Sequence, residues 1–181
     1  MLEENTMFAE HYTTTVGPVE ITVAPPEQPP WDVDAIVEEQ DTRLLHGDPH
    51  LIRDTTESYE TLIGKMQDQA PLVPGQVIVK HTAPRRFIAI VYDIDRKPMY
   101  RMEWITTALE KLLRETETYQ VRRIAMPLLG VTHGRCPDTK FMDLLCTMLP
   151  VVHAGCPEKL WLVTSLAEYR NIIAYFEGGC L

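Results

Sequence analysis

The strongest constraint on this chain is an alternation of two periodicities. RFIAIVYDI, RRIAMPLL and KLWLVTSL are apolar runs of strand length, and two longer segments, RMEWITTALEKLLRETETY and DTKFMDLLCTML, separate them. Unbroken apolar runs suit strands covered on both faces. In the first long segment Met102, Ile105, Leu109, Leu112 and Leu113 recur at three- and four-residue steps, which predicts one apolar helical stripe. The second is expected to stop at Pro150, because proline has no N–H to continue a helix. After the last strand, Ser165 and Glu168 have capping-box spacing and open AEYRNIIAYFEGG, which two glycines close. Strands alternating with helices need crossover connections, and these place consecutive strands in parallel. The expected fold class is α/β: a single three-layer α/β/α domain on a mixed, mostly parallel sheet.

The remaining segments fit around that frame. The first 15 residues read as frayed, and TTVGPVEITVAP reads as one strand that PPEQPP stops. WDVDAIV reads as a strand ending at Val37, followed by a polar stretch to Asp54. A helix is expected from Asp54, with Glu57 completing a capping box and Tyr59, Leu62, Ile63 and Met66 on one face. QAPLVPG breaks it, and QVIVKH supplies a further strand. No repeat or linker divides the sequence, so residues 1–181 read as one domain. The net charge of −9 excludes a protein that grips nucleic acid over a broad basic face, while leaving room for one small anion held by local donors. The acidic, polar start has no signal-peptide pattern, and no apolar stretch is long enough to span a bilayer. The four cysteines form no dense framework, so a reducing cytoplasm with thiols buried as small hydrophobes is expected.

Ligands of open α/β sheets bind beyond the carboxyl ends of the strands, where loops meet helix N-termini. Residues 38–47, 93–96 and 130–137 would lie there. The last segment, within RRIAMPLLGVTHGRCP, combines Gly130 and Gly134 with Arg135 just before a helix. Glycines let backbone N–H groups approach a ligand, the helix start adds donors, and arginine offers a planar fork suited to phosphate or carboxylate. The plainer alternative is a strand-to-helix turn that needs its glycines only for shape.

Four segments also resemble the macro domain family. WDVDAIVEEQDTRLL is similar to the strand that runs into the family's first ligand loop. PLVPGQVIVKHT resembles its middle Pro-Gly strand entry. RRIAMPLLGVTHGRCP resembles the strand and second loop that wrap the diphosphate of ADP-ribose, and LWLVTSLAEYRNIIAYF resembles the last strand and helix. The likeness spans about residues 19–176. Glu38 and Glu39 stand where the family has an asparagine and a glycine-rich loop, and Pro25 and Pro26 stand where its adenine-reading aspartate is expected.

The resemblance implies a non-catalytic binding module for ADP-ribose or a related nucleotide, with no cofactor or metal. Gly130, Val131, Thr132, His133 and Gly134 would supply backbone donors around the phosphates, and Arg135 would counter their charge. Asp34 would sit at the strand end, and a loop carrying Glu38 and Glu39 would form the opposite wall. Arg43 could assist Arg135 if the two converge. A second reading is a macro-like scaffold that has lost the nucleotide and acts through protein contacts, which the acidic first loop favours. A third is an ADP-ribosyl hydrolase with Glu38 or Glu39 as base. Two His-x-x-Cys pairs, His133 with Cys136 and His153 with Cys156, are soft-ligand spacings. A helix of ~18 Å between them argues against one shared metal. HGDPH at 46–50 could hold a divalent ion, and Cys136 beside His133 could be a nucleophile, although thiols and polar turns of this kind more often only pack.

Overall fold

The structure is a computed structural model that describes residues 11–44, 71–152 and 155–179. Its strands are β1 (Tyr12–Val16), β2 (Val19–Ala24), β3 (Ala35–Asp41), β4 (Val77–Lys80), β5 (Arg85–Tyr92), β6 (Arg123–Pro127) and β7 (Lys159–Val163). Its helices are α1 (Met102–Thr118), α2 (Asp138–Met148) and α3 (Leu166–Glu177), with a 3-10 turn at Leu149–Val151. The strands form one sheet of order β1-β2-β7-β6-β3-β5-β4. Its five inner strands run parallel, and the edge strands β1 and β4 pair antiparallel with β2 and β5. The mixed, mostly parallel α/β sheet expected from the alternation is therefore present.

Alternate residues of each strand turn to opposite faces. Ile21, Val23, Val37, Phe87, Ala89, Ile124, Met126, Leu160 and Leu162 line one face. Against it pack Ile105, Leu109 and Leu112 of α1, Phe141, Met142 and Leu145 of α2, and Ile172 of α3. Met102 and Leu113 flank that cluster, so the helical stripe read from the sequence is the core face of α1. The opposite face carries Ala24, Ala125 and Trp161, over which Trp31 and Val33 of the connection into β3 pack. Trp161 anchors there by donating its indole N–H to the carbonyl of Ala24 at 3.0 Å. Among the described residues the three helices all lie on the first face. The helix expected from Asp54 falls outside the described residues, as does HGDPH.

Three boundaries differ from expectation. TTVGPVEITVAP is two strands, because Gly17 and Pro18 form a two-residue turn that pairs Val16 with Val19 and Tyr12 with Val23. Gly17 has φ +58, and proline fixes a negative φ at the next position, the combination of a II′ hairpin turn. The same hairpin orders residues 12–15, which the polar start had suggested were frayed. Third, β3 does not end at Val37 but continues through Glu38, Glu39 and Gln40 to Asp41, so the two glutamates belong to a central strand and not to a loop. The strand continues because each carboxylate finds a partner contributed by a distant segment. QVIVKH is a strand, though its place at the sheet edge leaves it half-buried.

Candidate functional site

The carboxyl ends of β3, β5 and β6 meet on one edge of the sheet. Beyond Pro127 the chain continues through Leu128 and Leu129, both buried, and turns at Gly130. Gly130 has φ +76, and a Cβ there would lie 2.6 Å from Cδ1 of Ile105 on α1, so the turn is pressed onto the helix. The N–H of Cys136 donates to the Gly130 carbonyl at 2.9 Å and closes residues 130–136 into a compact loop. Gly134 sits inside that closure, where a Cβ would come within 2.6 Å of the same carbonyl oxygen.

Two of the loop's leading amides are already engaged. Val131 donates to the carbonyl of Leu128 at 3.1 Å, and Gly130 donates to Oε2 of Glu39 at 2.7 Å. Glu39 pairs in register with Ala89, so it projects on the helix-covered face of β3, and its side chain is only 7% exposed. Its other oxygen, Oε1, lies 4.0 Å from Nε2 of His133, whose ring in turn sits 5.9 Å from that of Tyr92. Burial first, and then the charges of Glu39 and Asp41, push the Tyr92 hydroxyl well above the ordinary phenol range. Thr132, Gly134 and Arg135 donate their amides to no acceptor among the described residues. The Arg135 side chain is exposed and likewise forms no ion pair there. Gly130, Val131, Thr132, His133, Gly134 and Arg135 are thus gathered in one loop over Glu39.

The other site residues expected from the sequence lie elsewhere. Asp34 precedes β3 at the amino end of the parallel strands, opposite the loop. Its carboxylate accepts from the amides of Arg122 and Arg123 at 3.2 and 2.9 Å and pairs with the Arg123 guanidinium at 2.8 Å. Burial alone would raise the Asp34 carboxyl, but the hydrogen bonds and charge of Arg123 together hold it below its ordinary value. Asp34 therefore splices β3 to β6 and does not reach the loop. Glu38 faces the side of the sheet away from α1 and pairs with Arg86, so it forms no wall with Glu39 and is not placed as a base at the loop. Arg43 is held by Asp95, with Nε 3.1 Å from Oδ2, and Asp95 also belongs to the 93–96 turn organised by Asp93. Arg43 is thus committed to a carboxylate, leaving Arg135 as the cation on the loop.

Among the described residues the sulfur motifs gather no metal ligands. Cys136 is 3% exposed with Sγ beside Met102, and burial raises its thiol above the ordinary value, the reverse of nucleophilic activation. Cys156 is also free and buried, and His153 lies outside the described residues. Cys146, by contrast, is in a disulfide, so the expectation of reduced thiols does not extend to it. Among the described residues no three His, Cys, Asp or Glu side chains are grouped to hold a metal ion, and no helix is long and apolar enough to cross a membrane. The start of α2 is no open donor end either: Asp138 accepts from the Thr139 amide at 2.8 Å and from the Asn171 side chain at 2.8 Å. Tyr92 and Ile105, which shape the loop from below, were not among the residues expected at the site. The polar tip of Tyr92 at the end of an apolar run was the one signal for it in the sequence.

Magnitudes decide how the loop treats an anion. A charge-assisted hydrogen bond such as Gly130 to Glu39 contributes about 1.5–3 kcal/mol. A phosphate ~5 Å from that carboxylate would be repelled by about 3 kcal/mol at an effective dielectric of ~20. The two effects are of equal size. A ligand anion must therefore either displace Glu39 or settle further along the loop, over Thr132, Gly134 and Arg135.

No protein-family model matches the chain, and no curated protein matches it. Solved structures do. The Oceanobacillus iheyensis macrodomain with ADP superposes with a TM-score of 0.67 at 12% identity, covering 93% of this chain and 96% of that one. A point mutant of the same macrodomain with ADPR gives 0.67 at 12% identity, over 93% and 98%. The macrodomain of Thermus aquaticus DarG gives 0.54 at 19% identity, over 80% and 98%. With the strand order and the loop after β6 in place, the conclusion is that this chain has the macro domain fold.

Proposed function

We propose that the chain is a non-catalytic binding module for a nucleotide-type ligand, ADP-ribose, held by its diphosphate at the 130–136 loop. The observation that carries this reading is the loop itself: a closed turn at the carboxyl edge of a parallel sheet, with the Thr132, Gly134 and Arg135 amides available and an exposed arginine beside them. Macrodomains of this fold have been solved with ADP and with ADPR, which supports the choice of ligand class. Arg135 counters phosphate charge, and of the two glutamates that could act as a base Glu38 is paired with Arg86 away from the loop while Glu39 is engaged by the Gly130 amide.

Isothermal titration with ADP-ribose tests this directly. Saturable heat with one site per chain is expected, and Arg135→Ala should weaken it about tenfold, the worth of one charge-assisted contact. A second reading, a macro-like scaffold acting through protein contacts, is favoured by one observation: Glu39 already holds the Gly130 amide. Absence of heat with folded protein at millimolar ADP-ribose would select that reading.

A further inference from the structure

We propose that the edge of β4 is a docking site for an acidic peptide segment of a partner protein, which adds as a further strand and seats two adjacent carboxylates on Lys80, His81 and Arg85. This surface lies at the amino edge of the parallel strands, away from the 130–136 loop, and stands whether or not that loop takes a nucleotide.

β4 ends the sheet and pairs only with β5 among the described residues. An edge strand presents a row of main-chain N–H and C=O groups that another strand can take up. No proline or register shift interrupts β4, and its one charge is Lys80 at the end. A lysine there repels the same edge of a second copy but attracts an acidic strand. Cations gather at this corner. Arg86, Arg122, Arg123 and Lys159 along the amino edge are each paired with a carboxylate, of Glu38, Glu158, Asp34 and Glu20. Lys80 and Arg85 have no carboxylate partner among the described residues. Arg85 is nonetheless held in place: its guanidinium lies 4.1 Å from the centre of the Tyr119 ring, and Nη1 donates to Nδ1 of His81 at 2.6 Å. Because arginine can only donate, His81 accepts at Nδ1 and carries its proton on Nε2, a further donor on an exposed side chain. A cation fixed before binding loses little freedom when a carboxylate arrives. Val77 and Val79 pack on the helix-covered core, so Lys80 turns to the opposite face, whereas Arg85 lies beside Tyr119 at the end of α1. Successive residues of an added strand also turn to opposite faces. Two consecutive acidic residues therefore meet the two cations, one on each side. The net charge of −9 disfavours nucleic acid, and a main-chain edge matches a peptide.

The probe is a short fluorescein-labelled peptide of alternating threonine and valine with an aspartate-glutamate pair at each end, which serves either strand direction. Fluorescence anisotropy should show saturable binding. A peptide with asparagine-glutamine pairs should bind about tenfold more weakly, and so should an acidic peptide with prolines at its centre, which cannot pair with the edge. Lys80→Glu combined with Arg85→Gln should weaken the acidic peptide about tenfold. If that double variant does not fold, Lys80→Glu alone, at an exposed position, carries the comparison. Amide hydrogen exchange at residues 77–80 should slow when the peptide saturates. Equal affinity for the acidic peptide and either control, unchanged exchange at 77–80, or no binding by folded protein at millimolar peptide would each overturn the proposal. So would a single-stranded DNA of equal charge that binds as tightly, because an array of cations alone would then account for the surface.

Discussion

Gly130 and Gly134 show how much of the loop rests on the absence of two side chains. At Gly130 a Cβ would meet the end of Ile105 and the backbone would be held at φ +76, a left-handed conformation that costs other residues roughly 1–2 kcal/mol. At Gly134 the obstacle is a backbone carbonyl at 2.6 Å, which cannot yield without releasing the Cys136 amide. Gly130→Ala and Gly134→Ala should each lower stability by about 1–3 kcal/mol. Urea midpoints with an unchanged slope would register this, and an unaltered midpoint for Gly134→Ala would mean the loop is not closed as described. Asp34 makes a prediction in pH. Its folded carboxyl is held below the ordinary value, so its contribution is complete above the unfolded value near ~3.9 and is lost as pH falls through the folded one. The side chain is about a third exposed, so the ion pair itself is worth only about 1 kcal/mol or less. Asp34→Asn should therefore destabilise the protein by a constant amount between about pH 5 and 8, and the gap to wild type should close below about pH 4. A gap that widened with acid would refute the assignment.

Among the elements, α3 was readable in full because its signals are local. Ser165 accepts from the Glu168 amide at 3.3 Å, the Glu168 carboxylate accepts from the Ser165 amide at 2.7 Å, and Ser165→Ala should cost about 1 kcal/mol in thermal or chemical unfolding. The stripe on α1 and the apolar runs of β5, β6 and β7 were equally legible, since periodicity over one segment is enough to reveal them. β3 was not. Its last four residues, EEQD, read as a solvated loop, yet Glu38 is paired with Arg86, 48 residues away, and Glu39 with the Gly130 amide, 91 residues away. A carboxylate can enter a central strand only if a partner meets it there, and a single sequence does not state which distant residue that is. The same limit explains Asp34, whose place as a candidate ligand followed from a strand end without revealing which end of the sheet it was. The hairpin at Gly17 is different: the Gly-Pro step is visible, but TTVGPVEITVAP reads through it as one continuous strand. The glycines thus mark the turn after β6 in the sequence, while Glu39 beneath it reads as part of another element.

At the scale of the whole molecule, the acidic balance and the proposed ligand pull against each other, and salt separates their ranges. The chain carries a net charge of −9, and ADP-ribose is itself an anion, so the long-range field opposes encounter. Arg135 and the loop amides act only within a few ångströms. At ~0.01 M salt the screening length is about 30 Å and the ligand feels most of the molecule, whereas at ~0.15 M it is about 8 Å and the ligand feels mainly the loop. The association rate for ADP-ribose should therefore rise as salt increases over that range, opposite to the fall expected for a basic nucleotide-binding protein. Stopped-flow mixing at several salt concentrations measures it, with adenosine as an uncharged control whose rate should stay flat. A rate that falls with salt would mean that a local basic surface dominates the approach, and the arrangement of Glu39, Asp41 and Asp93 along this edge argues against such a surface.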